Sequence, residues 1–141
     1  MTAYSHTANM AAYQNNAVHG GVAAADPHGL VLMLMNAAVE RMTTARGCIE
    51  RGEIVRKTKL LHSSVKIIGE LRGTLNMAEG GSLAQNLSDL YDYMTRRLLL
   101  ANVETSVPCI TEVLGLLSEV RSAWIAIGPQ TRPAQQAVAS P

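Results

Sequence analysis

Histidine and cysteine side chains are the first candidates for catalytic or metal chemistry in this sequence, and they are widely spaced. The cysteines form no CxxC pair, and no histidine belongs to a Glu-x-x-His or H-E-x-x-H metal motif. A P-loop and a G-x-S-x-G nucleophile motif are missing too. We therefore expect no enzyme activity, no metal and no cofactor. The residues considered are His6, His19, His28, His62, Cys48 and Cys109.

Each of the remaining polar candidates has a structural interpretation. Cys48 and Cys109 fit two buried, reduced thiols, with a disulfide or a nucleophile as the alternative. His62 lies off the apolar stripe of its helix and is expected at the solvated surface. His28, in a first helical turn, fits plain surface or a functional position equally well. Arg41 lies on an apolar stripe, so its stem either runs past the core edge or pairs with a carboxylate of a neighbouring helix.

Charge and hydropathy favour a soluble protein of the reducing cytoplasm. Twelve basic and eleven acidic side chains leave a formal net charge of +1, without the basic excess that nucleic-acid binding needs. Arg96-Arg97 is too short for a nucleic-acid patch and is interpreted as part of a salt-bridged helix face. The N-terminus lacks the pattern of a secretory signal, and the longest aliphatic run, Leu30 to Met35, is too short to span a membrane. We expect neither nucleic-acid binding nor membrane insertion.

Apolar residues recur with a helical period over four segments that are bounded by capping or helix-breaking residues. Asp26-Pro27 provides an N-cap followed by proline in the first turn. Gly80-Gly81 is expected to separate the second helix from the third. The predicted helices span residues 27–51, 53–78, 82–101 and 107–127.

Four helices of this length, joined by short loops, predict an all-α protein built as an antiparallel up-down four-helix bundle. Residues 26–127 are expected to form the bundle. Residues 1–25 are rich in Ala, Asn and Gly and predict a mobile arm with room for a short extra helix. Residues 128–141 are rich in Pro, Gln and Ala and predict a disordered tail.

Several helices carry more apolar residues than a single core-facing stripe requires. One interpretation is that exposed grooves hold amphipathic helices of a partner protein. The other is a generous core with uneven edges. The seven methionines suit either interpretation. The flanking residues are Leu61, Val65, Tyr93, Leu100, Leu116 and Ile127.

The segment at residues 80–102, GGSLAQNLSDLYDYMTRRLLLAN, resembles the signature of the FliS family. In that family a Gly-Gly turn opens a helix that bears LYDYM-x-RRL. Three further segments agree in order: AYQNN from Ala12, PHGL from Pro27 and GLLSEVRSAW from Gly115. The similarity covers about residues 12–127. It departs at Met35-Asn36, where many members carry an aromatic and then an acidic residue, so contacts of the first helix are not carried over.

The resemblance implies a cytosolic export chaperone. Family members are antiparallel helix bundles around which the C-terminal segment of flagellin wraps in an extended, partly helical form. Shielding this segment prevents premature polymerisation and assists delivery to the flagellar type III export apparatus. The implied partners are the flagellin C-terminal segment and export-gate components, and we expect the chain itself to be a monomer or a weak homodimer. The alternative is a self-associating helical adaptor or regulatory bundle without chaperone activity.

Site residues follow from the family motifs and from the apolar flanks. Tyr13 matches the tyrosine of the family's N-terminal motif, which resembles a plug over the bundle and contributes to chaperone function. Tyr91 and Tyr93 match the tyrosines of LYDYM; we expect Tyr91 in the core and Tyr93 in a groove wall. Arg96 and Arg97 match the arginines that follow. The predicted partner-binding residues are Tyr13, Leu61, Val65, Ile68, Tyr93, Arg97, Leu100, Leu116, Val120 and Ile127.

Overall fold

The computed structural model describes residues 26–129, and these residues form helices without any strand among them. In chain order the helices are α1 (Pro27–Glu50), α2 (Ile54–Gly73), α3 (Met77–Glu104) and α4 (Val107–Ile127). The predicted all-α class and four-helix bundle are confirmed. The predicted arm, and the predicted tail from residue 130 onward, lie outside the described residues.

The starts of α1 and α4 are set by side-chain caps. The carboxylate of Asp26 accepts a hydrogen bond from the backbone N–H of His28 at 3.0 Å. The hydroxyl of Ser106 accepts one from the backbone N–H of Cys109 at 3.3 Å. In both helices a proline follows in the first turn, where its missing N–H costs no hydrogen bond. These local signals explain why both helices begin where the sequence predicts.

The boundary between α2 and α3 lies earlier than the Gly-Gly pair predicts, which is a correction. α2 ends at Gly73, and the Asn76 side chain opens α3 by accepting two backbone hydrogen bonds at 3.2 and 3.4 Å. Gly81 then interrupts α3 with φ 56° and ψ −138°, a non-helical conformation open to glycine, so the predicted Gly-Gly break is present as a kink, after which the helix continues from Ser82. α3 also runs past its predicted end to Glu104, where Thr105 closes it in the left-handed conformation.

The four helices form a ring in which α1 and α3 each pack against α2 and α4. Hydrogen bonds at both ends of the α2–α3 seam fix their antiparallel direction. Lys57, near the start of α2, bonds to Asn102 near the end of α3, and Arg72 bonds to Ser88 at the other end. The largest fully buried side chains are Tyr91, Leu34, Met35, Met42, Leu61, Ile68, Leu71, Met94, Leu98, Ile110 and Leu117.

His28 is buried, which corrects the expectation that it could be plain surface. Its ring stacks on the indole of Trp124, with ring centroids 4.6 Å apart and planes 11° apart. The Nε2–H of His28 donates to the Trp124 carbonyl oxygen at 2.7 Å, and the Nε1–H of Trp124 donates to the His28 carbonyl oxygen at 2.9 Å. This pair ties the first turn of α1 to the last turn of α4.

Other polar residues follow the sequence predictions more closely. Cys48 and Cys109 are buried free thiols. His62 is exposed. Arg41 is half-buried and donates to the Ala37 carbonyl oxygen of its own helix at 3.2 Å, which favours the interpretation that its stem runs along the core edge.

Candidate partner-binding groove

Hydrogen bonds among the side chains of Tyr93, Arg97 and Glu112 join α3 to α4, and we call these three residues the cross-link. The seam between α3 and α4 is the least extensive of the four helix–helix seams. The hydroxyl of Tyr93 donates to Glu112 Oε2 at 2.6 Å. The Nε–H of Arg97 donates to the other carboxylate oxygen of Glu112 at 2.7 Å. Tyr93 and Arg97 are one helical turn apart on α3, so both reach the same residue of α4. Their contacts identify the sides on which the two helices face each other.

The side of α4 that faces this seam is apolar beyond Glu112. Leu116, Val120 and Ile127 follow at positions i, i+4 and i+11 and therefore share one face of the helix. Leu116 and Val120 are partly buried against the core, whereas Ile127 is 40% exposed. The burial of this face thus falls toward the C-terminal end of α4.

The side of α3 that faces α4 is apolar as well. Leu87 and Leu90 are partly buried against the core. Leu83, two residues after the kink at Gly81, is 54% exposed. Since the helices are antiparallel, the two apolar sides run alongside each other. We define the α3–α4 groove as Leu83, Leu87, Leu90, Leu116, Val120 and Ile127.

The hydrogen bonds of the cross-link also set its charge state. The hydrogen bond from Tyr93, and then the one from Arg97, holds the pKa of the Glu112 carboxyl below its usual range. The bond to Glu112 raises the pKa of the Tyr93 hydroxyl, because an ionised phenol cannot donate. Glu112 raises the pKa of the Arg97 guanidinium as well. The three groups are solvent-accessible, so water and salt weaken their mutual attraction.

The structure brings together six of the ten residues predicted for partner binding. They lie on the facing sides of α3 and α4, in the groove or beside it at the cross-link, although Leu100 is farther along α3 and partly buried. They are Tyr93, Arg97, Leu100, Leu116, Val120 and Ile127.

The other four predicted residues lie elsewhere. Leu61 and Ile68 are 1% and 0% exposed in the core, so in this conformation neither side chain is accessible to a partner. They are buried because both face inward from α2 toward the centre of the bundle. Val65 is partly buried on α2, away from the α3–α4 groove. Tyr13 lies outside the described residues.

Sequence reasoning missed Glu112, which joins the two helices of the seam. A lone carboxylate on an amphipathic helix carries no motif, so its partners become visible only when α3 and α4 are packed. Its position four residues before Leu116 places it on the flanking stripe of α4. The negative charge of Glu112, opposite to that of the arginines of α3, was therefore the one signal in the sequence that could have indicated this contact.

Within residues 26–129, no three His, Cys, Asp or Glu side chains lie close enough to hold a metal ion. No helix in the same range has the length and apolarity to cross a membrane. The groove itself offers apolar contact and hydrogen bonding, which are means of recognition.

Known proteins resemble this chain over most of its length. The profile of the family described as "Flagellar protein FliS" matches residues 8–131. The flagellar secretion chaperone FliS of Salmonella typhimurium is 42% identical over 120 residues, covering 84% of this chain and 89% of the relative. The flagellar secretion chaperone FliSB of Pseudomonas aeruginosa is 42% identical over 115 residues, covering 82% and 91%. FliS of Bacillus subtilis is 36% identical over 113 residues, covering 80% of each. This chain therefore belongs to the FliS family.

Proposed function

We propose that this chain is a cytosolic export chaperone that binds the C-terminal segment of flagellin. Binding would prevent premature polymerisation and assist delivery to the flagellar type III export apparatus. The relatives are flagellar secretion chaperones by name, which supports the export role. The observation that supports the proposed site is the α3–α4 groove, where the exposed Leu83 and Ile127 accompany the four partly buried apolar residues of the two facing helix sides.

The groove suits an amphipathic helix whose apolar residues recur at i, i+3, i+4 and i+7. Its walls are already held in place by the core, so the ordering cost falls mainly on the flagellin segment. Fully burying a Leu or Ile side chain contributes about 1.5–3 kcal/mol, and side chains that are already half-buried contribute less. We therefore expect several modest contacts to share the binding energy, and single substitutions to weaken binding without abolishing it.

The cross-link beside the groove supplies polar contacts for the same partner. Arg97 uses its Nε–H on Glu112, and a guanidinium carries further donors. A carboxylate or a helix C-terminus of the bound segment can accept from them. The hydroxyl of Tyr93 is held by Glu112, which leaves its ring as a further contact that we propose for the bound segment. These groups would fix the register of a segment whose affinity comes from apolar burial.

Calorimetry with a peptide from the C-terminal end of the cognate flagellin tests the proposal. We expect a one-to-one complex with the full chain, formed with a negative heat-capacity change because apolar surface is buried. The absence of binding heat at two temperatures, with the peptide at roughly 50 μM, would refute a flagellin-binding role, since affinity in that range corresponds to only about 6 kcal/mol.

A matched pair of variants tests the location of the site. Leu83→Asp places a charge in the groove, and Leu99→Asp places one on the opposite side of the same helix. The two leucines are comparably exposed, at 54% and 45%, so both variants should fold. We expect Leu83→Asp to weaken flagellin binding about tenfold or more, in line with losing one apolar contact and burying a charge. Equal losses in both variants would remove the groove from the proposal.

The same apolar surface also allows the second candidate function, a self-associating adaptor. Light scattering on the full chain separates the two. A chaperone should be a monomer or weak dimer that becomes a one-to-one complex on adding the flagellin peptide. A tight, constitutive homodimer that buries Tyr93 and Leu116 would favour the adaptor instead.

A further inference from the structure

Charge is unevenly distributed among the four helices. α2 carries five basic residues, namely Arg56, Lys57, Lys59, Lys66 and Arg72, against the single acidic residue Glu70. α3, which packs beside it, carries four acidic and two basic residues. The net charge of the whole chain is therefore close to zero, although α2 by itself is positively charged. Lys57 is buried against Asn102, so the positive charge on the surface of α2 comes from its other four basic residues.

Two of the exposed cations of α2, Lys59 and Lys66, fall on one stripe, whereas the exposed Arg56 and Arg72 lie on other faces of the helix. Val55, Lys59, His62 and Lys66 are spaced i, i+4, i+7 and i+11, the repeat of a single helical face, and all four are exposed. The stripe is about 16 Å long at 1.5 Å per residue. Its first residue, Val55, is 72% exposed. We call these four residues the α2 basic strip.

The charges of the α2 basic strip are not neutralised within the bundle. Among the described residues, neither Lys59 nor Lys66 has a carboxylate oxygen within the 4.0 Å of an ion pair. Two acidic residues at the borders of α2 are engaged by arginines. Glu53 is held by Arg51 at 3.1 Å and by Arg56 at 3.6 Å, and Asp92 is held by Arg72 and Arg96.

The surface along the α2 basic strip is concave rather than smooth. One shallow depression of about 530 Å³ is lined by His62, Ser63, Val65 and Lys66. Another of about 490 Å³ lies at the start of α2 and includes Ile54, Val55 and Lys59 among its lining residues. Both combine cationic side chains with apolar ones.

We infer that the α2 basic strip docks an acidic amphipathic helix of a second protein partner. Carboxylates at about i, i+3 or i+4 and i+7 of such a helix would face Lys59, His62 and Lys66, while an apolar residue would cover Val55. α2 lies diagonally across the bundle from α4, so this surface is separate from the α3–α4 groove. A chaperone loaded with its cargo could therefore still engage another protein.

The chain's own ends do not supply this partner. Residues 1–25 and 130–141 contain no Asp and no Glu, so neither segment can provide the complementary carboxylates. A nucleic acid fits less well, because the strip is a single helix wide and lies next to the acidic α3, which would repel a broad polyanion. Exposed Val55 and Ile54 also have no counterpart in a phosphate backbone. An acidic protein helix satisfies both the charge and the apolar part.

A synthetic probe tests the inference directly. It is a 20-residue alanine-based helix with glutamates and a single leucine on one face, which lacks the apolar stripe that fits the α3–α4 groove, compared with the same peptide carrying Gln for every Glu. Fluorescence anisotropy with the full chain should show binding of the Glu peptide alone at about 50 mM NaCl, strongly weakened at about 300 mM. Failure of the Glu peptide to bind, or equal binding of the Gln peptide, would overturn the inference.

Two double variants of equal charge change locate the surface. Lys59→Gln with Lys66→Gln should weaken the Glu peptide about three- to tenfold, the effect expected of two exposed ion pairs. Arg96→Gln with Arg121→Gln, on α3 and α4, serves as the control and should leave binding unchanged. Equal losses in the two double variants would mean that only the total charge matters, which contradicts a docking strip. All four substituted residues are solvent-accessible, and circular dichroism confirms folding.

The same variants show whether another class of ligand occupies the α2 basic strip and whether the strip is part of the flagellin site. Tighter binding of a DNA duplex or of anionic phospholipid vesicles than of the Glu peptide, lost on substituting Lys59 and Lys66, would overturn the assignment to a protein partner. The flagellin peptide should bind the Lys59→Gln, Lys66→Gln variant as it binds the unaltered chain. Loss of flagellin binding there would merge the strip with the cargo site, whereas failure of flagellin to bind any variant affects only the proposed function.

Discussion

His28 and Trp124 lie 96 residues apart in sequence, yet each donates a ring N–H to the other's backbone carbonyl oxygen. Their stacked rings cover these hydrogen bonds on one side, with centroids 4.6 Å apart. Because the acceptor on Trp124 is a carbonyl, His28 must carry a proton on Nε2. The pair closes the α1–α4 side of the ring of helices.

Replacing His28 by Ala should destabilise the bundle by about 1–3 kcal/mol, since a buried hydrogen bond and a ring stack are both lost. Urea unfolding followed by circular dichroism measures the change. His62→Ala is the matched control, because that histidine is exposed on α2, and its effect should stay within about 0.5 kcal/mol. Similar effects of the two substitutions would mean that the stacked pair contributes little.

Two glycines should respond in opposite ways to substitution by Ala. Gly69 lies within α2 with open space around the position of a Cβ, so Gly69→Ala should stabilise the protein by about 0.5–1 kcal/mol through helix propensity. Gly81 adopts φ 56° and ψ −138°, and Gly81→Ala should cost about 1–2 kcal/mol. Thermal unfolding of both variants decides; a stabilising Gly81→Ala would show that α3 can straighten at no cost.

Helix caps and the Gly-Gly pair explain which helix boundaries could be predicted from the sequence. Asp26 with Pro27, and Ser106 before Pro108, are caps whose meaning is local, so the starts of α1 and α4 follow from sequence. The Gly80-Gly81 pair correctly marks a break in helical geometry, because Gly81 is non-helical, but it does not mark where α3 starts. The nearby Asn76 cap decides where the helix starts, and it favours the earlier position.

The candidate site was predictable in its apolar part and not in its polar part. Leu116, Val120 and Ile127 can be identified as a flanking stripe from helical periodicity alone. Periodicity does not say which neighbouring helix faces a stripe, so the partnership of Tyr93 with Glu112 on another helix required the packed structure. Leu61 illustrates the opposite error: its stripe position was read as a flank, but two helices enclose that edge and bury it.

Lys57 should contribute to stability in spite of being a buried cation. It is 2% exposed, and its ammonium group donates to both the carbonyl and the side-chain oxygen of Asn102, each at 3.0 Å. Lys57→Met keeps the apolar stem but leaves the Asn102 carbonyl without this donor, so we expect a loss of about 1–3 kcal/mol in urea unfolding. Lys66→Met, on the exposed face of α2, is the control. A gain in stability on Lys57→Met would mean that desolvation of the ammonium outweighs its hydrogen bonds.

Glu112 should make the stability of the α3–α4 seam depend on pH. Hydrogen bonds from Tyr93 and Arg97 lower the pKa of its carboxyl in the folded state. Its stabilising contribution is therefore complete above the unfolded-state pKa of about 4.3 and disappears as pH falls through the lower folded-state pKa. The variant Glu112→Gln has no proton to gain. The difference in unfolding free energy between the unaltered chain and this variant should thus shrink as the solution is acidified below about pH 4.

A double-mutant cycle shows whether the cross-link causes that dependence. Tyr93→Phe removes the hydroxyl donor that contributes most to lowering the Glu112 pKa. In the Tyr93→Phe background, Glu112→Gln should therefore produce a smaller pH-dependent difference, measured by urea unfolding at about 0.05 M salt, where screening is weak. An unchanged pH dependence would assign the effect to Arg97 or to the overall charge of the protein. At about 0.5 M salt the Arg97 contribution should weaken, because that ion pair is solvent-accessible.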